Sequence, residues 1–164
     1  MFIFAAYTGG IRVSDILKLQ WKDFDGSHLL LVIKKTGVQV SIKVPNKGLE
    51  ILASLKGRAY HPDAFIFPML PKGLNLNDPE AVDTAINRST AYINKNLKIM
   101  AKAVGIRKNL SFHISRHSFA VRALRKGISI DKVSRLLAHS NIRETQIYAK
   151  VVNEELDKAM DAFN

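Results

Sequence analysis

The sequence predicts a mainly α-helical fold with one small antiparallel β-sheet, an α+β domain. Apolar residues recur at helical spacing through most of the second half, whereas residues 38–44 alternate apolar and polar side chains as a strand does. The 164 residues, 47% of them apolar, are enough to bury a single core. We find no internal repeat and no low-complexity tract. We therefore expect one compact domain.

The first elements are predicted to be two short helices. Residues 1–7 are apolar enough to form a buried helical segment. Ser14 or Asp15 can cap a second helix that runs to about residue 20, because a side-chain oxygen there bonds the free N–H groups of a first turn. The positions expected to face inward on this helix are Ile16, Leu17 and Leu19.

A β-hairpin and a third helix are expected next. Residues 29–33 and 38–44 have the composition of strands, and Thr36-Gly37 between them is a turn signal. Pro45 stops the second strand, and a helix is predicted over residues 46–54.

The second half is predicted to be helical. Apolar residues from Val82 to Val104 keep near-helical spacing, so we expect one long helix that ends at Gly105. Four further helices are predicted over residues 113–126, 131–138, 142–150 and 153–163.

Charge and composition narrow the class of function. A net charge of +11 favours a polyanionic partner, nucleic acid first and an anionic membrane second, and disfavours a simple metabolic enzyme. No apolar run approaches the roughly 20 residues that span a bilayer, and the start of the chain lacks the basic residues of a signal peptide. We expect a cytoplasmic protein without membrane contact. The absence of cysteine excludes disulfides, thiolate metal sites and a cysteine nucleophile.

The positive charge is concentrated in one part of the chain. Residues 111–150 carry eight Lys or Arg side chains against two acidic ones, whereas residues 153–164 carry four acidic side chains against Lys158. One surface is therefore expected to face phosphate, and the C-terminal segment is not.

Two arginines are candidates for holding a phosphodiester. Metal-free cleavage needs fixed cations at the non-bridging oxygens, and the planar guanidinium bonds two oxygens at once. Arg12 follows Gly9-Gly10. Arg116 lies three residues after His113 on a predicted helix, so Arg116 and His113 share one helix face. An isolated arginine is usually only a surface charge. The joint pattern is what favours the catalytic interpretation.

Tyr148 is the candidate nucleophile. A phenolate ester of phosphate conserves the bond energy for rejoining, but the tyrosine pKa of about 10 requires a nearby base or cations. His139, nine residues ahead, is expected to bond a non-bridging oxygen, and His113 to assist proton removal. His117 is rotated by about 100° from Arg116 and is expected to be a packing or supporting residue. A lone helical tyrosine is more simply a core residue.

A lysine is the candidate proton donor for the leaving 5′ oxygen. Lys35, just before Thr36-Gly37, fits a mobile hairpin tip, with Lys34 as the competing choice. A solvated hairpin lysine is an equally simple interpretation of either residue.

These elements occur in the order of a known pattern, and the chain resembles the Cre- and Xer-like tyrosine recombinases of the phage integrase family. The likeness runs from about residue 6 to residue 151. Its parts are the first arginine box Gly10-Ile11-Arg12-Val13-Ser14-Asp15, the lysine of Lys35-Thr36-Gly37, the second box His113-Ile114-Ser115-Arg116-His117-Ser118-Phe119-Ala120, and Leu136-Leu137-Ala138-His139-Ser140 with Ile147-Tyr148.

The resemblance implies a recombinase catalytic-domain fold, a prokaryotic source and a site-specific strand exchange without metal, ATP or cofactor. Tyr148 would form a 3′-phosphotyrosyl link with double-stranded DNA and free a 5′-hydroxyl, and a partner strand would reverse the step in a tetrameric synapse. Residues 153–163 resemble the segment that docks into a neighbouring protomer, although a helix folded on its own domain is equally expected. Residues 1–164 would be a C-terminal catalytic domain, a fragment without its N-terminal core-binding domain and first helix.

Departures from the pattern remove no reactive group. Gly9 stands where a threonine is frequent, and Ala138 stands where a glycine usually precedes the histidine. Two other functions stay open: a type IB topoisomerase, which uses the same chemistry to relax supercoils, and a DNA-binding module without cleavage. A metal-dependent nuclease is disfavoured because no carboxylate cluster accompanies the histidines.

Overall fold

The structure, a computed structural model, describes residues 1–32, 37, 39–57 and 61–161, with the backbone alone for residues 154–159. It confirms the mainly α fold with one two-stranded antiparallel sheet. In chain order the elements are α1 (Phe2–Tyr7), α2 (Val13–Ile16), a 3-10 turn (Trp21–Asp23), β1 (His28–Val32), β2 (Gln39–Lys43), α3 (Asn46–Leu55), α4 (Pro79–Ala103), α5 (His113–Arg125), α6 (Ile130–Leu136) and α7 (Arg143–Asp161).

The predicted hairpin is confirmed. Leu29 pairs with Ile42 and Leu31 with Val40, and Leu29, Leu31 and Ile42 face the core. The alternate side chains of β1, Leu30 and Val32, are exposed, as the period of two along a strand requires. Lys34 and Lys35 lie outside the residues that the structure describes.

A larger apolar cluster joins α1–α4 and the sheet. Its centre is formed by fully buried side chains, among them Phe4, Leu17, Leu29 and Leu52. The predicted long helix, α4, packs one stripe on this cluster through Val82, Ala85, Ile86, Ser89, Ile93, Leu97 and Ala101. Asp78 caps α4 by accepting bonds from the N–H groups of Glu80 and Ala81.

A smaller apolar cluster joins α5, α6 and α7. It consists of Phe119, Ala120, Ala123, Val133, Leu137 and Tyr148. The two clusters meet where α5 packs on α1. Arg122 of α5 fixes this contact, because its guanidinium lies 3.8 Å from the centre of the Tyr7 ring and donates to the carbonyl oxygen of Ala6.

Two sequence-based expectations about helix ends are wrong. Neither Ser14 nor Asp15 caps α2; Arg12 occupies the N-cap position, no side chain caps the turn, and the helix ends at Ile16. The helices predicted over residues 142–150 and 153–163 are one continuous helix, α7. Within the described residues, no helix has both the length and the apolar character needed to cross a membrane.

Candidate active site

Five of the six predicted site residues line one pocket of about 340 Å³. It lies between the loop before α2, the first turns of α5 and the start of α7. Its walls are formed by Arg12, His113, Arg116, His117, His139, Glu144, Ile147 and Tyr148. The sixth predicted residue, Lys35, falls outside the described residues.

Arg12 reaches the pocket from a sharply turned loop. Gly9 and Gly10 have φ values of 65° and 61°, in the left-handed region that favours glycine. A Cβ atom on Gly10 would lie 2.9 Å from Leu137 Cδ2 and 3.3 Å from Arg116 Cα, so any other residue would crowd α5 as well as strain the backbone. Arg12 Nη1 is buried and has no hydrogen-bond partner among the described residues.

Arg116 is buried and ties the loop to the end of α6. It is 4% exposed; Nη1 donates to the carbonyl oxygen of Gly10 at 2.9 Å, and Nη2 donates to that of Leu137. Burial, with the nearby Arg12, lowers the pKa of Arg116 to about 10. The guanidinium therefore stays charged at neutral pH, and its orientation is fixed before any ligand arrives.

Tyr148 points into the pocket and is hydrogen-bonded to His117. The phenolic oxygen lies 2.9 Å from His117 Nδ1, and Tyr148 is only 5% exposed. Burial raises the pKa of Tyr148 and Glu144 adds to this, while Arg116 acts in the opposite direction. The hydroxyl is therefore protonated at neutral pH.

His117 is a site residue that the sequence analysis missed. It was expected to be a packing or supporting residue, yet it contacts the candidate nucleophile directly. The spacing of His113 and His117, i and i+4, places both on one helix face and was the available signal. His113 packs against His117 with ring centres 4.4 Å apart, and among the described residues it makes no hydrogen bond to Tyr148.

His139 is held by the first turn of α7. Its Nδ1 is hydrogen-bonded to the hydroxyl of the fully buried Thr145 at 2.7 Å, and its Nε2 lies 3.7 Å from a carboxylate oxygen of Glu144. Thr145 and Glu144 were not predicted as site residues. Thr145 precedes Tyr148 by about one helical turn, so its side chain lies on the same face.

The turn before His139 is strained. Ala138 has a φ of 48°, a conformation that costs a residue with a Cβ atom roughly 1–2 kcal/mol. His139 N–H donates to the carbonyl oxygen of Ser134, which closes the end of α6. Glycine adopts this left-handed conformation without strain, which explains why the tyrosine recombinase pattern usually has glycine before the histidine.

The pocket thus concentrates fixed positive charge around one phenolic hydroxyl. The guanidinium groups of two arginines and the side chains of three histidines line the pocket together with Tyr148 and one carboxylate, that of Glu144. Such a site suits a tetrahedral or trigonal-bipyramidal oxyanion, because positioned donors stabilise charge that develops on the oxygens. Among the described residues, no group of three or more His, Asp or Glu side chains is arranged to hold a metal ion.

The chain is similar in sequence to curated tyrosine recombinases, among them the following two. It is 32% identical over 157 residues to the tyrosine recombinase XerD of Lacticaseibacillus casei, and the matched region covers 92% of this chain and 49% of that protein. It is 29% identical over 161 residues to the tyrosine recombinase XerA of Thermococcus onnurineus (strain NA1), and the matched region covers 94% of this chain and 51% of that protein. The chain therefore spans about half the length of the curated relatives it matches.

Solved structures share the fold. A crystal structure of XerA recombinase superposes with a TM-score of 0.65 at 22% identity, over 94% of this chain and 54% of that one. XerH site-specific recombinase bound to its palindromic difH substrate, a post-cleavage complex, superposes with a TM-score of 0.66 at 20% identity, over 99% of this chain and 45% of that one. Residues 1–155 match the model of the phage integrase family, and the chain belongs to that family.

Proposed function

We propose that this chain cleaves and rejoins double-stranded DNA through a covalent bond to Tyr148, as the catalytic part of a site-specific tyrosine recombinase. One observation carries the proposal: the hydroxyl of Tyr148 lies in a pocket with two arginines, and one of them, Arg12, has a buried N–H without a partner in the described structure. A buried unpaired donor is costly, so it favours a ligand with acceptor oxygens.

The arginines are proposed to hold the non-bridging oxygens of the scissile phosphate. A guanidinium has five N–H donors, and Arg116 uses Nη1 and Nη2 to bind the carbonyls of Gly10 and Leu137. Donors remain for a phosphate, and the two carbonyls keep the group in place. His139, fixed through Thr145, is proposed to donate from Nε2 to a further oxygen once Glu144 moves aside.

The chemical step is an in-line displacement. A bond forms between Tyr148 Oη and phosphorus while the bond from phosphorus to the 5′ oxygen breaks, leaving a 3′-phosphotyrosyl link and a 5′-hydroxyl. Lys35, or Lys34 in its place, is proposed to protonate the leaving oxygen. The reverse step rejoins the strand, and because the ester retains the bond energy, neither ATP nor a cofactor is proposed.

A basic face of α4 is proposed to bind the DNA backbone. Four exposed cations lie within an arc of roughly 80° on this helix, since successive residues are about 100° apart: Arg88, Lys95, Lys98 and Lys102. Asn94, one turn before Lys98 on this helix, accepts a hydrogen bond from the N–H of Phe112, next to His113, so α4 contacts the start of α5 beside this face. Such a stripe favours phosphate contacts that weaken with salt.

Self-association on DNA is the remaining part of the proposal. Because α7 runs without a break from Arg143 to Asp161, a segment at residues 153–163 that docks on a neighbouring protomer would be rigidly connected to the turn that carries Tyr148. We propose that four protomers act together on two DNA duplexes. An N-terminal domain that closes around the DNA remains a prediction.

The test is capture of the covalent intermediate. The chain is incubated with a pool of nicked duplexes of randomised sequence, in which the cleaved end diffuses away, and adducts that resist denaturant are isolated. We expect one adduct, with the nucleotide mapped by mass spectrometry to the peptide that contains Tyr148, and none from Tyr148→Phe. Tyr92→Phe, which alters an exposed tyrosine on α4, is the matched control. An adduct in Tyr148→Phe, or none in the unaltered chain, would contradict the proposal.

The relatives favour strand exchange over the two alternatives. Those identified by sequence are tyrosine recombinases. A DNA-binding module without cleavage would give no adduct in this experiment. A type IB topoisomerase would form the adduct but would also relax supercoiled plasmid without joining two DNA partners.

A further inference from the structure

The hydrogen bond between Tyr148 and His117 connects two helices across the smaller cluster. Tyr148 Oη and His117 Nδ1 lie 2.9 Å apart, and the two rings lie 5.4 Å apart at 58°. Among the described residues, this is the hydrogen bond that the phenolic hydroxyl makes. It places one nitrogen of His117 in line for the proton that Tyr148 must lose to become a nucleophile.

Both groups are in the protonation states that such a transfer needs. Burial, followed by the positive charge of Arg116, lowers the pKa of His117. Burial raises the pKa of Tyr148. At neutral pH a neutral imidazole therefore faces a protonated phenol, and in the tautomer that carries its proton on Nε2, Nδ1 accepts the hydrogen bond that Tyr148 donates. The ordinary values, about 6.5 for histidine and about 10 for tyrosine, keep the proton on tyrosine until the phosphate is attacked.

We propose that His117 accepts the proton of Tyr148 as the bond to phosphorus forms. The inference rests on the proposed function and assigns the base that this function requires. The proton passes from Oη to Nδ1, the electron pair left on Oη forms the bond to phosphorus, and the leaving 5′ oxygen takes a proton from the lysine. When the strand is rejoined, His117 returns the proton to the departing tyrosine.

The other histidines of the pocket are less suited to this role. His113 presents its ring to His117 rather than to the hydroxyl, and it is exposed at the pocket wall, where it can meet the phosphate. His139 is engaged through Nδ1 with Thr145. The charged and titratable groups around His117 are His113 and Arg116 on α5, Tyr148 and Glu144 on α7, Arg12 before α2 and His139 before α7.

The test compares two substitutions that separate proton transfer from hydrogen bonding. Glutamine in His117→Gln offers an amide oxygen that accepts the same hydrogen bond but takes no proton. In His117→Ala the ring is missing, so that added imidazole can enter. Adduct formation is timed on the nicked duplexes, and DNA affinity is measured by fluorescence anisotropy. His61→Gln, in an exposed loop away from the pocket, is the matched control.

We expect both substitutions to slow formation of the Tyr148 adduct by roughly 10²–10⁴-fold, the usual contribution of general acid–base catalysis. DNA affinity should stay within about twofold, because neither variant removes a cation. Imidazole should restore part of the rate of His117→Ala in proportion to its concentration and should leave His61→Gln unchanged. These results together would support His117 as the base.

Two results would overturn the inference. An unchanged rate in His117→Gln would make the contact a hydrogen bond without proton transfer, and a loss in His117→Ala that imidazole does not restore would make the ring a packing group. In both cases the unaltered chain still forms the Tyr148 adduct, so the proposed function stands. If the unaltered chain did not form the Tyr148 adduct, that result would instead contradict the proposed function itself.

Discussion

The two apolar clusters differ in size and in what they carry. The larger cluster draws side chains from α1–α4 and both strands, and none of the candidate reactive groups belongs to it. The smaller cluster consists, in the described structure, of six residues on and beside α5–α7, and one of them is Tyr148. The candidate chemistry thus depends on the part of the molecule with the thinner apolar packing.

Arg116 connects the two regions. It donates to Gly10, in the loop that follows α1, and to Leu137, at the end of α6. The pocket therefore keeps its shape through a few polar contacts rather than through a large core. Substitutions in the two regions should therefore separate effects on stability from effects on activity.

Replacing Arg116 should cause the largest loss. In Arg116→Ala the phosphate loses a fixed donor, which lowers the adduct rate by at least roughly 10²-fold. Two carbonyls, of Gly10 and Leu137, lose their partner, which costs about 1–3 kcal/mol each of unfolding free energy when such groups stay buried. Adduct kinetics and urea titration measure the two effects.

Lys126→Ala, which removes an exposed cation at the end of the same helix, is the matched control and should change neither quantity appreciably. Arg116→Lys should recover little of the rate, because the three donors of one ammonium nitrogen cannot span both carbonyls and also bond two phosphate oxygens, as the five donors of a planar guanidinium can. If DNA affinity and cleavage fell equally in Arg116→Ala, Arg116 would be a phosphate anchor only.

A matched pair of cavities tests the comparison directly. Leu52 in the larger cluster and Leu137 in the smaller one are both fully buried, so each change to alanine should cost about 2–5 kcal/mol of unfolding free energy. Leu137→Ala should also slow adduct formation, because Leu137 borders Gly10 and its carbonyl holds Arg116. Leu52→Ala, assayed well below its melting temperature, should keep the rate. Equal losses of adduct rate in Leu52→Ala and Leu137→Ala would contradict the view that only the smaller cluster supports the candidate chemistry.

The sequence predicted which candidate residues lie close together better than it predicted the helix ends. Arg12, His113, Arg116, His139 and Tyr148 converge on one pocket, and the long helix α4 follows its apolar spacing. The break expected after residue 150 does not occur. Val151-Val152-Asn153 contains neither Gly nor Pro, so nothing in the backbone ends α7 there.

Contacts between distant residues were not predictable from the sequence. His117 and Tyr148 are 31 residues apart, and their hydrogen bond depends on how α5 and α7 pack. Thr145 reaches His139 only because Ala138 turns the chain into the left-handed region. Asp15 was expected to cap α2 but is buried near Arg116 instead, since the turn at Gly9-Gly10 starts the helix one residue after Arg12.

Lowering the pH should lower the stability of the folded chain through two histidines of the pocket, without any substitution. Burial, followed by neighbouring positive charge, lowers the pKa of both His113 and His117 in the folded chain. The unfolded chain therefore binds protons more readily as the pH falls below about 6.5, and the stability present above that pH is lost on approaching the folded pKa values. The melting temperature should drop between pH 7.5 and pH 5.5, and less in the double variant His113→Gln, His117→Gln. An equal drop in that variant would assign the effect to other groups.

The smallest expected effect is a gain in stability at Ala138. Its φ of 48° costs a residue with a Cβ atom roughly 1–2 kcal/mol, and glycine avoids this cost but loses about 0.5–1 kcal/mol through the greater freedom of the unfolded chain. Ala138→Gly should therefore raise the free energy of unfolding by about 0.5–1 kcal/mol, seen as a higher urea midpoint at unchanged slope.

Ala91→Gly, on the exposed face of α4, is the matched control and should have the opposite effect, lowering the free energy of unfolding by about 1 kcal/mol. Because glycine keeps the left-handed turn that lets Thr145 reach His139, the adduct rate of Ala138→Gly should stay the same. A stabilised variant with a slower rate would mean that the strain at Ala138 itself orients His139 toward the phosphate.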